Sequence, residues 1–204
     1  MEKVDFKKLY PELYNPPRQP VLVNVPEMGF LMVDGAGDPN TALTYQEALE
    51  ALYAMAFTIK FALKKSGGGP EYVVPPLEGL WWSDDPRDFL LHRKDKWSWT
   101  MMIMQPEAVT EAVFQQALAE ARKKKALPAL DKVRLECFQE GLSAQVLHLG
   151  PYAAEAPTIE QLHAFIRAQG LILRGKHHEI YLGDPRKTAP EKLRTVIRQP
   201  VSPD

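Results

Sequence analysis

The chain has 204 residues, 45% hydrophobic and 25% charged, an ordinary globular composition rather than a disordered one. With 25 basic against 26 acidic residues, its net charge of −1 favours neither nucleic acid nor an anionic membrane as partner. A single cysteine, Cys137, excludes an intrachain disulfide and a cysteine-rich zinc site.

No apolar run approaches the roughly 18 residues that a membrane-spanning helix needs. The opening residues Met1 to Asp5 lack the apolar core of a signal peptide, so a cytoplasmic protein is expected. The segment to about Pro20 is rich in Lys, Pro and Tyr and is too short for a domain of its own. Val21 to Val25 and Met28 to Asp34 are β-branched or apolar runs that predict strands, the second closed by turn residues from Gly35 to Asn40.

The period then changes. Thr44-Tyr45-Gln46-Glu47 has the form of a capping box, and Leu49, Leu52, Tyr53, Ala56, Ile59 and Leu63 recur at helical spacing, predicting a helix over 45–65. Ser66-Gly67-Gly68-Gly69-Pro70 ends it. These glycines follow a helix, the wrong context for a phosphate-cradling loop. Glu71 to Val74 is a short strand candidate. Pro75-Pro76 cannot sustain ladder bonding, so the next strand begins at Leu77 and runs to Trp82. Trp97 to Met104 predicts a long strand, and 109–124 a second amphipathic helix. The basic run Arg122 to Lys125 ends that helix, where cations complement its dipole.

The second half repeats this order. Lys132 to Glu140 and Leu142 to Leu149 are strand candidates, and Cys137, alternating with Val133 and Leu135, is expected to be a buried thiol. Thr158-Ile159-Glu160-Gln161 again has the form of a capping box, opening a helix that closes at Gly170. His177 to Leu182 and Leu193 to Arg198 complete the strands, with Gln199-Pro200 as a stop. Thr100 to Pro106 lies against Thr195 to Pro200 with one gap, and Leu77-Glu78 against His178-Glu179. The expected fold is therefore α+β: one domain over 1–204 made of two strand–helix–strand–strand modules, about 20–127 and 128–204. Two such modules can form a curved antiparallel sheet with helices on one side and a ligand cleft on the other.

Two acids stand within strands. Glu179 shares a face with His177 and Tyr181, while His178, Ile180 and Leu182 share the other. A buried acid there must be neutralised, hydrogen-bonded or held for a ligand, whereas a solvated strand face or a pair with Arg174 or Arg194 needs no function. Glu78 raises the same question in the first half. If the two acids met across a pseudo-twofold, like charge would raise at least one pKa and suit a proton donor or a cation receptor. Trp81, Trp82, Trp97 and Trp99 fall within 19 residues, near Met101, Met102 and Met104. Such side chains wall pockets for flat or cationic molecules, though each alone is an ordinary core residue. Tyr152, after Gly150-Pro151, either aims its hydroxyl into the same cleft or is a surface tyrosine. The five histidines, His92, His148, His163, His177 and His178, show no metal-ligand spacing, and no nucleophile elbow or nucleotide motif is present. No metal and no cofactor are expected.

The stretch Gly175 to Val201, containing His177-His178-Glu179-Ile180-Tyr181-Leu182-Gly183-Asp184-Pro185, resembles the ending of GyrI-like small-molecule-binding proteins, as do Val74 to Trp82 and Trp97 to Thr100. The resemblance spans about Leu22 to Val201 and implies a duplicated fold with a ligand cleft, the acid matching Glu179 belonging to the ligand site. Related domains follow helix-turn-helix modules in multidrug-responsive regulators. Here about 20 residues precede the first strand, too few for such a module, so no direct nucleic-acid binding is expected. Some stand-alone members resemble hydrolases that open the cyclopropane ring of DNA-alkylating compounds. Together with the strand faces and the aromatic cluster, the resemblance gives Glu78, Trp81, Trp82, Trp97, Trp99, Met101, Tyr152, His177, Glu179 and Tyr181 as the expected ligand contacts, with Glu179 and Tyr152 as candidate catalytic residues. The competing expectation is an interaction protein of the gyrase-inhibitor type, acting through a macromolecular partner.

Overall fold

The computed structural model describes residues 3–85, 87–90 and 93–203. His92, one of the five histidines weighed above, lies outside them. Among the described residues there are nine strands: β1 (Val21–Val25), β2 (Met28–Ala36), β3 (Leu77–Trp82), β4 (Ser98–Gln105), β5 (Arg134–Phe138), β6 (Gly141–Leu149), β7 (Leu171–Leu173), β8 (His177–Tyr181) and β9 (Arg194–Pro203). Three helices exceed a single turn: α1 (Leu43–Ser66), α2 (Glu111–Lys124) and α3 (Ala156–Ala168). The fold is α+β, and the order β2–α1–β3–β4 recurs as β6–α3–β8–β9. No helix among the described residues is long and apolar enough to cross a membrane.

The chain divides into two compact units that are not consecutive in sequence. The first holds the stretch up to Phe6, Met28–Pro75 and Trp81–Phe138; the second holds Lys7–Glu27, Pro76–Leu80 and the chain from Gln139 on. In the first unit β2 pairs antiparallel with β4 and with β5. Leu31, Met32 and Val33 meet Ile103, Met102 and Met101, and all six are buried, so both faces of this pair are covered. Helix α1 lies on β2 and β4 and also packs against α2, which buries Ala48, Leu52, Met55, Ala56, Ile59 and Leu63. Burying a side chain of the Leu, Ile or Met class stabilises by roughly 1.5–3 kcal/mol, so this layer dominates the unit.

In the second unit β6 lies between β1 and β9, β8 pairs with the first half of β9, and β7 pairs with its end. Helix α3 covers β6 and β7, placing Leu162 and Ile166 on Ala144, Val146, Ile197 and Val201. The outer strands are exchanged. Strand β1 runs straight into β2 but pairs with β6, and β5 runs straight into β6 but pairs with β2.

Several sequence expectations are corrected. Thr44 is no cap: Ala42 holds the N-cap position and makes no side-chain cap bond. The turn at Asp38, whose carbonyl accepts from the amides of Thr41 and Ala42, starts the helix earlier. Thr158 is no cap either, since α3 begins at Ala156 and the Thr158 hydroxyl bonds His148 Nδ1 at 2.9 Å. The cap that forms is Thr110 on α2, accepting from the Val113 amide. Glu71 to Val74 yields only an isolated bridge from Tyr72 to Val4, as prolines flank it on both sides. Strand β9 passes through Pro200 instead of stopping there. A proline removes only the N–H, and the Pro200 carbonyl still accepts from the Arg174 amide at 2.9 Å. Strand β7, not expected from the sequence, supplies the partner that lets β9 continue. Cys137 is exposed, not buried. Its direct neighbour across the β2–β5 ladder is Gly29, which has no side chain to cover it.

Candidate functional site

Glu179 lies on β8 opposite Ile197 of β9, and Ile197 packs under α3. Directly paired residues share a face, so Glu179 lies on the face that carries α3. The sequence placed the cleft on the face away from the helices; Glu179 is on the other one. Period-2 alternation brings its two expected neighbours to it. His177 Nε2 donates to Glu179 Oε1 at 3.1 Å, and the Tyr181 hydroxyl donates to Oε2 at 2.8 Å. The side chain is 16% exposed, sheltered yet reachable. Arg174 and Arg194, the expected alternative partners, bond elsewhere: Arg174 to the Glu140 carbonyl and Arg194 to Asn15 Oδ1 at 2.6 Å. Tyr152 sits in a single 3-10 turn, Tyr152–Ala154, and its ring meets the Tyr181 ring edge-on with centroids 5.5 Å apart.

A second acid, Glu155, completes this group and was not singled out in the sequence. It immediately precedes α3, is 5% exposed, and its Oε1 has no hydrogen-bond partner among the described residues. Burial, reinforced by the charge of Glu179, pushes its carboxyl up to about 9. Burial works against the Glu179 carboxylate too, but the bonds from His177 and Tyr181 outweigh it and hold the group below the usual range. The donors decide which acid ionises: Glu179 carries the charge and Glu155 the proton. His163, on α3, adds a buried Nε2 without a hydrogen-bond partner among the described residues, its imidazole pushed down by burial and by His177. The Thr195 hydroxyl is likewise buried without one. The sequence signal for Glu155 was faint, an acid just before a helix, and nothing local shows that it faces another acid 24 positions away.

Glu78 does not join this group. It is 1% exposed, accepting from the Tyr14 hydroxyl at 3.0 Å through Oε1 and from His178 Nε2 at 3.0 Å through Oε2. His178 also donates through Nδ1 to Glu140 Oε1 at 2.9 Å. Glu140 Oε2 accepts from Arg198 Nη1 at 3.0 Å, and Arg198 donates further to Gln145 Oε1 and the Leu13 carbonyl. Two carboxylates, one imidazolium and one guanidinium form a closed, neutral, buried network. The pattern in the sequence is an ionisable residue at core-facing strand positions; the repeat matches Glu78 to Glu179, but the structure pairs Glu78 with His178 instead.

In the first unit the aromatic residues form a group of their own. Trp99 and Trp81 are buried, and Trp82 and Trp97 are half-buried. Tyr45, from α1, lies 5.2 Å from the Trp99 ring centroid, edge to face, and 6.2 Å from that of Trp81. Trp81 and Trp97 meet edge-on at 5.9 Å, and Lys94 Nζ stands 5.5 Å from the Trp97 centroid. Met101 is fully buried against β2. An open concavity of about 310 Å³ in the second unit is lined by Pro11, Pro16, Pro17, Leu22 and Gln145, and by none of the expected site residues. Among the described residues no group of three or more His, Cys, Asp or Glu side chains could hold a metal ion.

Chemically, an ionised carboxylate beside a protonated one supplies a base and an acid within one group, and the charge on Glu179 suits a cation. Comparison with known proteins adds identity. The model of the GyrI-like small molecule binding domain matches residues 18–202. An uncharacterized conserved protein from Listeria innocua is similar at 46% identity, covering 98% of this chain and 100% of its own, with a TM-score of 0.92. A hydrolase from Listeria innocua is similar at 45% identity over the same shares, with a TM-score of 0.86. The C-terminal domain of EcmrR, 12% identical over 91% of this chain and 98% of its own, shares the fold with a TM-score of 0.57. No curated protein matches the chain.

Proposed function

The chain belongs to the GyrI-like small molecule binding domain family, and we propose that it binds flat, hydrophobic or cationic aromatic molecules at Glu179 and hydrolyses those that carry a strained cyclopropane ring. The observation that carries this reading is the unlike pair Glu179 and Glu155, one oriented by His177 and Tyr181 and the other buried, with its proton held by burial and by the charge of Glu179. The similar hydrolase from Listeria innocua supports the reaction class.

In the reaction, Glu179 accepts a proton from a water molecule as that water forms a C–O bond to a cyclopropane carbon. The C–C bond breaks, and its electron pair moves through the conjugated system to the carbonyl oxygen. Glu155 gives that oxygen its proton, and the proton taken by Glu179 restores the pair. The net change is addition of one water across the C–C bond. His177 and Tyr181 keep the Glu179 carboxylate aimed and ionised, and the Tyr152 ring packs edge-on against Tyr181. Such positioning and proton transfer are worth about 10²–10⁴-fold for the acid–base part alone. Opening alkylating compounds before they reach DNA makes the role one of detoxification, with recognition of several drug-like molecules by the same charge.

The test pairs binding with turnover. Tryptophan fluorescence follows titration with flat aromatic cations and with cyclopropane-bearing alkylators, and mass spectrometry follows the water adduct. Glu179→Gln is expected to retain binding of the alkylator and lose turnover by at least about 100-fold. Turnover unchanged in Glu179→Gln would sink the catalytic assignment, and no binding of any compound by the wild type would sink the ligand class. Trp82 and Trp97, the two half-buried indoles, are replaced separately to test their part in binding.

A further inference from the structure

Helix α1 turns a row of aromatic rings to solvent. Tyr53, Phe57 and Phe61 follow one another at four-residue spacing and are 36%, 43% and 60% exposed. Their rings are stacked, with centroids 6.5 and 6.4 Å apart and planes tilted by 27° and 26°. Lys60 Nζ lies 5.9 and 6.0 Å from the Phe57 and Phe61 centroids. Isolated exposed apolar residues are common, but a contiguous row is the mark of an interaction surface.

The charges flanking the row indicate what covers it. At 3.6 residues per turn, Glu50 and Lys64 fall on the same face as Phe57, seven positions before and after it. Tyr53 and Phe61 stand four positions before and after. About Phe57 the stripe is therefore symmetric in aromatic character, and the charges at its two ends, Glu50 and Lys64, are opposite. A twofold axis at Phe57 runs two copies of α1 antiparallel. It sets Phe57 against Phe57, Tyr53 against Phe61, and each Glu50 against a Lys64, along a seam of about 21 Å. A parallel pairing would oppose Glu50 to Glu50. The present partners do not block this. Lys125 uses only Oε2 of Glu50, at 3.3 Å, and Glu71 takes one bond from the Lys64 ammonium at 3.1 Å, all four groups being exposed.

We propose that this face of α1 is the interface of a twofold homodimer, built on the Tyr53–Phe57–Phe61 row and closed at each end by Glu50 and Lys64 of opposite copies. Three rings of about 150–250 Å² each, about half exposed, supply only about 300 Å² per copy. That is less than the roughly 800 Å² per partner of a standard interface, so the dimer is a weak one that dissociates on dilution.

Sedimentation velocity across a concentration series tests it. The wild type is expected at twice the mass of one chain at high micromolar concentration. Phe57→Asp, Glu50→Lys and Lys64→Glu each weaken association at least tenfold, with circular dichroism and melting unchanged. The double variant Glu50→Lys/Lys64→Glu regains the dimer, and so does an equimolar mixture of the two single variants, which restores both end pairs. A wild type that stays at single mass overturns the proposal, including one that instead pellets with anionic phospholipid vesicles. So does a dimer untouched by Phe57→Asp, or a charge-swapped double variant and mixture that both remain single.

Discussion

His178 and Glu140 face each other at 2.9 Å inside the second unit, each 3% exposed or less. Burial alone would push the imidazole down, but Glu140 and Glu78 outweigh it and raise the group to about 9. Glu140 is correspondingly brought down to about 2 by His178 and Arg198, against the effect of burial. A raised histidine stabilises fully below its unfolded value of about 6.5, and that contribution is lost as pH climbs to 9. A lowered carboxylate stabilises above its unfolded value of about 4.3, and is lost as pH falls toward 2. In a Glu155→Gln background, where that buried acid no longer titrates, urea midpoints should therefore be highest between about pH 4.5 and 6.5 and decline on both sides, with His178 contributing on the order of 3 kcal/mol to the alkaline limb. A midpoint that holds level from pH 6.5 to 9 would count against a charged His178.

Glu155 works in the opposite sense at neutral pH. Its carboxyl keeps a proton in the folded protein up to about 9, while the unfolded chain releases it near the ordinary carboxylate value. The unfolded state is thereby favoured as pH rises through that window. Glu155→Gln, neutral in both states, should raise the melting temperature, by an amount that grows between pH 5 and 8 and reaches about 2–4 °C or more. Scanning calorimetry at three pH values reads it. Equal melting of wild type and variant throughout would remove the protonated acid from the site.

Gly35 of β2 pairs directly with Trp99 of β4, and the indole lies over the space a side chain would take. A Cβ at Gly35 would stand 2.1 Å from Trp99 Cη2 and 2.3 Å from Cζ2. Gly35→Ala must displace the buried indole and with it the edge-to-face contact with Tyr45, an overpacking cost of about 1–3 kcal/mol or more. Near-ultraviolet circular dichroism and thermal melting should both change, and shortening the indole in Gly35→Ala/Trp99→Phe should recover stability. A single variant as stable as the wild type would show that Trp99 has room to move.

Much of the fold is legible from local chemistry. The bounds of β3 follow from Pro75-Pro76, and the stop of α1 from Gly67, whose φ of 66° a side chain rarely tolerates. The strand–helix–strand–strand order repeats as read. Period-2 alternation was enough to place His177, Glu179 and Tyr181 together, because side-chain direction in a strand is a local property. The family resemblance drawn from Gly175 to Val201 and Val74 to Trp82 agrees with the matched domain over 18–202.

Whatever depends on distant partners was not legible. Glu78 and Glu179 look alike in sequence, each an acid in a strand, yet one is paired with His178 and takes a hydrogen bond from the Tyr14 hydroxyl while the other meets Glu155. The two capping boxes have the right letters, but a turn at Asp38 and a bond to His148 drew those segments into helices that begin earlier. The exchange of β1 and β5 is carried by no local signal. The sequence by itself determined periodicity, turn chemistry and therefore the identity and order of the elements, since those arise from φ/ψ preferences over a few residues. Only the tertiary structure decided which acid is charged, which indoles are core and which strand pairs with which, because burial, proton affinity and cross-strand bonding depend on groups tens to hundreds of residues away in the chain.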